Sequence, residues 1–391
     1  MENKIPVTIL SGYLGSGKTT ILNHVLRNRQ GMKVAVIVND IGEVNIDATL
    51  VEQAGGLSKT AEKLVPMSNG CICCTLREDL LIEVERLAKE GKFDYLLIES
   101  TGIGEPMPVA QTFSYIDQNM GIDLTRFCRL DTMVTVVDAL RFMTNFRSGD
   151  ALVDRKQAVN DQDERDIADL LIEQIEFCNV LIINKCDLVD ESTLNKLERI
   201  MRTLQPGAKI IRTVQGRIDP QDILNTHRFD FQKAIDSPGW LQELTAGPEH
   251  HTPETEEYGI STFVYARKYP FHTGRLLRYL QRQIPENVIR AKGIAWCATR
   301  NKTAMLLSQA GPSVSLNPVT YWVAALPKHA RRDIINKHPD IQQEWDPVYG
   351  DRRTKLVFIG LNLDKKAICE TLDRCLLTAE EFDNDWSRLK E

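Results

Sequence analysis

The chain has 391 residues, 42% of them apolar and 26% charged, with a formal net charge of −6. That length is too great for one ordinary core, so two domains are expected, and mild acidity without a basic block argues against a nucleic-acid partner. No apolar run approaches the roughly 20 residues that cross a bilayer, and Met1-Glu2-Asn3-Lys4 runs into a strand pattern instead of a signal peptide, so the expectation is a cytoplasmic protein with no membrane partner.

The first half alternates short β-branched runs with helical patterns. Strands are expected at Val7–Leu10, Val34–Val38, Leu64–Met67, Tyr95–Ile98, Met133–Val137, Val180–Ile183 and Lys209–Thr213. Several are continuously apolar, as strands covered on both faces must be, so a mainly parallel α/β sheet follows. Ile21, Leu22, Val25 and Leu26 share one face of the helix after the first strand, and Ile167, Leu170, Leu171 and Ile175 mark another helix. Between Asp219 and Tyr258 proline and glycine interrupt the pattern, which reads as a linker. Beyond it, strands are expected at Ser261–Ala266, Ile294–Ala298, Ala304–Ser308, Val319–Ala324 and Leu356–Leu361, with helices at Gly274–Gln283, Lys328–Lys337 and Lys365–Leu376. The division expected is therefore a mainly parallel α/β domain over 1–225, a linker over 226–258 and a smaller α+β domain over 259–391.

Three motifs carry chemistry. Gly12-Tyr13-Leu14-Gly15-Ser16-Gly17-Lys18-Thr19 fits GxxxxGK[ST] between a strand and a helix, where backbone N–H groups can face phosphate oxygens. Lys18 would reach the β- and γ-phosphates, the Thr19 hydroxyl would ligate Mg²⁺, and Thr20 completes the binding set. Asn184-Lys185-Cys186-Asp187 follows an apolar strand and is the NKxD pattern. The Asp187 carboxylate only accepts hydrogen bonds, which suits the N1–H and 2-amino donors of guanine; Asn184 would meet the Hoogsteen side, and Lys185 would cover the ring. GTP is thus expected over ATP. Between these lies Glu99-Ser100-Thr101-Gly102, with Glu99 placed to hold Mg²⁺ and Gly102 able to approach the γ-phosphate; a strand-end cap is the plainer alternative for Glu99. Asp138 would either face the site or start a helix. No arginine or glutamine is assigned by the sequence as charge stabiliser or water-positioner.

The third motif is Cys71-Ile72-Cys73-Cys74, followed by the capping-box pattern Thr75-Leu76-Arg77-Glu78 and by Leu80, Leu81, Val84, Leu87 and Ala88 at helical spacing. Cysteines at a helix N-terminus tend to thiolate, the form that binds soft metals. Redox chemistry of a CxxC pair, a closed structural zinc site and plain buried thiols compete with an exchangeable metal site. In the last, Cys71, Cys73 and Cys74 would hold Zn²⁺, with Co²⁺ or Ni²⁺ also bound, and the carboxylates Asp40 and Glu43 would help. The scattered Cys128, Cys178, Cys186, Cys297, Cys369 and Cys375 read as free thiols, most of them buried, and His250-His251 as a solvated pair.

In order and spacing, the phosphate loop, Glu99-Ser100-Thr101-Gly102, Gly70-Cys71-Ile72-Cys73-Cys74 and Asn184-Lys185-Cys186-Asp187 resemble the CobW-type P-loop GTPases. The later half resembles the CobW C-terminal domain: Arg290-Ala291-Lys292-Gly293 leads into a strand, and Asp351-Arg352-Arg353 precedes Leu356-Val357-Phe358-Ile359-Gly360. The resemblance implies a SIMIBI-class GTPase that delivers a metal, most often zinc, to a metal-requiring client enzyme. In the segment matching the family's switch, Asp40 and Ile41 stand where Glu and Phe are common, which shortens the carboxylate's reach by a methylene. On this reading GTP with Mg²⁺ orders Asp40–Asp47 beside the thiolates and hydrolysis releases it. A GTP-dependent zinc or redox sensor and a cobalt-handling accessory protein of cobalamin biosynthesis are the alternatives.

Overall fold

The computed structural model describes residues 4–28, 31–40, 63–68, 75–114, 122–155, 157, 165–245, 259–343, 345–386 and 389. Two units emerge, Met1–Gly239 and Trp240–Glu391.

In the first unit β1 (Ile5–Ser11), α1 (Lys18–Arg27), β2 (Val34–Asp40), β3 (Lys63–Ser68), α2 (Thr75–Glu90), β4 (Tyr95–Glu99) and α3 (Pro106–Ser114) are followed by β5 (Cys128–Asp138), α4 (Phe142–Arg147), α5 (Ile167–Glu176), β6 (Val180–Asn184), α6 (Glu191–Leu204), β7 (Lys209–Arg212) and α7 (Phe231–Asp236). The strands form one sheet in the order β3-β2-β4-β1-β5-β6-β7, and every neighbouring pair is parallel. The continuous apolar runs explain this. One face buries Val7, Ile9 and Ile98 under Leu80, Leu81, Val84 and Leu87 of α2 and Val109 and Phe113 of α3. The other buries Leu10, Val36, Leu97, Val134 and Ile182 under Ile21, Leu22 and Val25 of α1. Each such aliphatic side chain contributes ~1.5–3 kcal/mol by leaving water, so packing, more than propensity, holds these helices.

Register brings the strand ends to one edge. Leu10 pairs with Glu99, Ser11 with Thr135, Asp138 with Asn184, and Asp40 with Ser68. Strand order reverses at β1, which lies between β4 and β5, so the crevice at the carboxyl ends of the strands falls at a topological switch point, where α/β sheets bind ligands. Residues 226–239, inside the stretch that reads as linker, belong to this unit: Phe229, Phe231 and Ile235 pack against the core cluster that includes buried Ala234, and Asp230 caps α7 through the Lys233 N–H. Their prolines and glycines punctuate short packed elements.

The second unit contains β8 (Ile260–Arg267), α8 (Thr273–Arg282), β9 (Val288–Ala295), β10 (Thr303–Ala310), β11 (Ser313–Tyr321), α9 (Lys328–Lys337), β12 (Thr354–Leu361) and α10 (Lys365–Arg374). Its sheet is antiparallel, in the order β11-β10-β9-β12-β8, and packs on Leu276, Tyr279 and Leu280 of α8 and Ile368 and Leu372 of α10. Two strand positions differ from expectation. The polar Arg290-Ala291-Lys292-Gly293 lies within β9 and does not precede it: Arg290 is fully buried, and its Nη1 donates to Ser308 Oγ at 3.1 Å. β11 stops at Tyr321 because Asp351 takes the N–H groups of Val323 and Ala324 into a short turn. Trp322 and Trp386 pack with Trp296 in a smaller core cluster of this unit. Among the described residues no helix is long and apolar enough to cross a membrane.

Candidate nucleotide site

The loop after β1 lies directly on β5. Gly12 has φ 134°, and a Cβ there would fall 2.3 Å from the Val136 carbonyl oxygen, so only glycine lets the backbone approach this closely. Lys18, 7% exposed, starts α1 and curls back, its Nζ donating to Gly12 O at 2.9 Å and Tyr13 O at 3.4 Å. The ammonium therefore lies against the backbone carbonyls of the phosphate loop. Buried Ser16 Oγ has no hydrogen-bond partner among the described residues. Tyr13 behaves differently from its neighbours: its ring is buried and its hydroxyl donates to Gln157 Oε1 at 2.5 Å, so it anchors the loop inward. Burial pushes the Tyr13 hydroxyl pKa up, and nearby Arg155 pulls it partly back.

Thr19 Oγ1 donates to Glu99 Oε1 at 2.9 Å, joining the start of α1 to the end of β4. A hydroxyl and a carboxylate in contact are the hard-oxygen donor set that Mg²⁺ takes. Thr101 Oγ1 is buried without a hydrogen-bond partner among the described residues, and Gly102 presses on the phosphate loop, a Cβ there falling 2.5 Å from Leu14 Cδ2. Residues missed by sequence reading hold this segment: Gln174 Nε2 donates to Gly104 O at 3.1 Å, and Arg165 Nη1 to Ile103 O and Glu105 Oε1, each at 3.0 Å.

At the end of β6, Asn184 is 2% exposed, donates through Nδ2 to Ser16 O at 2.9 Å and accepts from the Gly216 N–H at 3.1 Å. It is a strut between the phosphate loop and the loop after β7, a role the motif alone does not display. Lys185 adopts φ 62°, and its Nζ reaches Gly15 O at 2.7 Å and Asp138 Oδ2 at 2.5 Å. Asp138 does both things left open for it: Oδ2 faces Lys185, while Oδ1 accepts the N–H groups of Leu140 and Arg141 ahead of α4. Asp187 is exposed, its carboxylate available to a base.

Between these groups is a cavity of about 610 Å³ lined by Leu14, Gly15, Gly17, Lys18, Thr19, Thr20, Asn184, Lys185, Asp187, Leu188 and Gln215. Its volume suits a nucleotide-sized ligand. Of the residues assigned from sequence, Leu14, Gly15, Gly17, Lys18, Thr19, Thr20, Asn184, Lys185 and Asp187 line it, while Glu99 and Gly102 lie behind that lining, against Thr19 and Leu14. Leu188 and Gln215 are additions; no spacing rule points to them. Cys71, Cys73, Cys74 and Glu43 lie outside the described residues, as do Asp47 and His250-His251, while Asp40 is described in backbone only, at the end of β2. Desolvation pushes the buried Cys128 and Cys178 thiols each up to about 12, away from the thiolate form.

Residues 6–212 match the family model for the CobW/HypB/UreG nucleotide-binding domain, more than half of the chain. The chain belongs to the CobW/HypB/UreG family of P-loop GTPases. Residues 260–376 match the cobalamin synthesis protein CobW C-terminal domain, so the second unit too has its CobW counterpart. Among curated relatives, the chain is 43% identical to the zinc-regulated GTPase metalloprotein activator 1 of Dictyostelium discoideum, over 97% of this chain and 81% of that protein. It is 32% identical to the zinc chaperone CobW of Pseudomonas aeruginosa, over 95% of this chain and 92% of the relative. The zinc chaperone YjiA of Escherichia coli is 28% identical over 75% of this chain and 82% of its own length.

Proposed function

We propose that this protein is a zinc metallochaperone: it binds GTP in the crevice at the β1 and β6 ends, holds Zn²⁺ through Cys71, Cys73 and Cys74, and uses hydrolysis to time zinc transfer to a client enzyme. The observation that carries this reading is the shared sheet edge. The segment with the cysteines leaves β3 at Ser68 and enters α2 at Thr75, and Ser68 pairs with Asp40, the end of β2. Phosphate loop, Glu99, switch segment and cysteines thus depart from the same end of one sheet. The names of the relatives agree with a zinc cargo.

In this scheme the loop N–H groups and Lys18 bind the phosphates, and Asp187 selects guanine. Thr19 and Glu99 would hold Mg²⁺, which when bound neutralises phosphate charge. Asp40 and Glu43 supply carboxylates to the zinc in one nucleotide state only. Because linkage is reciprocal, zinc must then change GTP affinity as much as GTP changes zinc affinity.

The test is equilibrium zinc binding by the full chain with GDP and with a non-hydrolysable GTP analogue, followed by transfer to a zinc-free client enzyme. The reading expects at least a fivefold difference in zinc affinity, within the usual ~5–150-fold range of coupled sites, and faster recovery of client activity with GTP than with the analogue. Coupling without transfer would make the protein a sensor. Zinc affinity indifferent to nucleotide, or unchanged when the three cysteines become serine, overturns the proposal.

A further inference from the structure

We propose that Arg141 is a catalytic residue of GTP hydrolysis, an arginine carried by the chain itself that contacts the nucleotide's terminal phosphates and stabilises the charge developing there. This rests on the reading of the crevice as the GTP site and goes beyond it by naming a group the motifs leave unassigned.

Three observations support it. First, Arg141 Nη1 lies 3.8 Å from the position of a Cβ on Gly15, the sole atom within 4 Å among the described residues other than Gly15 and its chain neighbours. The guanidinium therefore sits over the phosphate loop at its solvent rim. Secondly, its backbone is built into the site: the Arg141 N–H donates to Asp138 Oδ1 at 3.1 Å, Asp138 Oδ2 takes Lys185 Nζ, and Lys185 Nζ donates to Gly15 O. Gly15 and Arg141 are thus two ends of one short chain of hydrogen bonds. Thirdly, Asp138 neutralises Lys185, whereas the exposed Arg141 side chain makes no ion pair or hydrogen bond among the described residues. An uncompensated guanidinium at the mouth of a phosphate site has the planar fork that matches phosphate oxygens and a flexible stem to deliver it.

The chemistry is ordinary hydrolysis. Water oxygen bonds to the γ-phosphorus, the bond from phosphorus to the β–γ bridging oxygen breaks with its electron pair staying on GDP, and the water proton leaves with inorganic phosphate. Arg141 transfers nothing; it meets the charge that builds on the leaving oxygen. It therefore binds the transition state more tightly than GTP and affects kcat more than affinity.

The experiment compares the full chain with Arg141→Ala and Arg141→Lys. Fluorescent GDP and GTP analogues give affinities, single-turnover hydrolysis at saturating GTP gives the chemical step, and GDP with aluminium fluoride mimics the transition state. For Arg141→Ala the expected result is GDP and GTP affinity within about threefold of the parent and hydrolysis slowed ~100-fold or more, since an arginine so placed is worth ~10³–10⁵ in rate where fully engaged. The fluoride complex should weaken by a similar factor, and Arg141→Lys should recover hydrolysis only partly. Hydrolysis within threefold of the parent overturns the proposal, as does a tenfold loss of GDP affinity with an unchanged saturated rate, which would make Arg141 a ground-state anchor. Failure of the parent itself to bind guanine nucleotide instead removes the GTP site.

Discussion

Replacing Gly17 by alanine puts a methyl group where Asn184 stands. A Cβ on Gly17 would lie 2.2 Å from Asn184 Nδ2, on backbone at φ 106°. Asn184 is poorly able to retreat, because Nδ2 holds Ser16 O at 2.9 Å, Oδ1 holds the Gly216 N–H at 3.1 Å, and the side chain is 2% exposed. Alanine in that conformation costs ~1–3 kcal/mol. Displacing Asn184 forfeits both hydrogen bonds at ~1 kcal/mol each. The single change should therefore destabilise the first unit by ~3–5 kcal/mol. Asn184→Ala loses the same bonds, for ~2–3 kcal/mol. In the double variant the backbone strain persists but the hydrogen-bond loss is counted once, so its cost should fall ~2 kcal/mol short of the sum. Native-state hydrogen exchange on β1 and β6 amides measures this. Tryptophan fluorescence does not, since Trp240, Trp296, Trp322, Trp345 and Trp386 all lie in the other unit. Additivity to within ~0.5 kcal/mol refutes the reasoning, because it would mean that Gly17 and Asn184 do not meet.

Thr19→Ala removes the hydroxyl that touches Glu99 and should slow single-turnover hydrolysis by ~100-fold or more while β1 exchange stays unchanged; Mg²⁺-dependence equal to the parent's would sink that assignment. Asp187→Asn exchanges one acceptor for a donor, so GTP affinity should fall ~100-fold and xanthosine triphosphate, which offers a carbonyl in place of the 2-amino group, should gain; unaltered GTP affinity contradicts the base assignment. Asp131 is fully buried, and burial raises its carboxyl pKa, but Arg129, the Tyr95 hydroxyl and the Thr226 and His227 N–H groups outweigh that and hold it below the usual range. With the folded pKa depressed, its contribution is present above about pH 3.9 and disappears as pH falls through the folded value. Asp131→Asn should cost ~2–3 kcal/mol at pH 7 and flatten the stability profile below pH 4; parallel profiles would refute it.

What was legible in the chain follows the range of the interaction. The phosphate loop and NKxD are local: a few consecutive residues specify a backbone shape, and Lys18, Asn184 and Lys185 occur where that shape requires. The parallel sheet was legible because strands such as Tyr95-Leu96-Leu97-Ile98 are buried on both faces and must be apolar throughout. β9 was partly hidden because a fully buried arginine imitates a loop residue. Gln157 under Tyr13, Gln174 under Gly104 and Arg141 over Gly15 were illegible for another reason: each is paired to its partner only by the closing of the sheet. No spacing in the sequence encodes those meetings.

The same sheet order limits how nucleotide and zinc can communicate. Two strands, β2 and β4, lie between β3, from which the cysteine segment departs, and β1, which carries the phosphate loop. At about 4.8 Å per strand the two edges are roughly 14 Å apart. On the proposed reading, a zinc above the end of β3 and a phosphate above the end of β1 would be separated by more than the Debye length of ~8 Å at physiological ionic strength, which largely screens direct attraction or repulsion. A coupling of the proposed size must therefore be mechanical, passed through the ends of the intervening strands. β4 ends in Glu99, already tied to Thr19, and the segment after it is pinned by Gln174 and Arg165. That side is braced. On the proposed reading the switch then falls to the end of β2, where Asn39 and Asp40 end the strand beside Ser68. Cutting the Asp40 carboxylate back to alanine should thus abolish the effect of nucleotide on zinc affinity and leave nucleotide affinity itself within about threefold. If coupling survives that change, the signal does not run through β2.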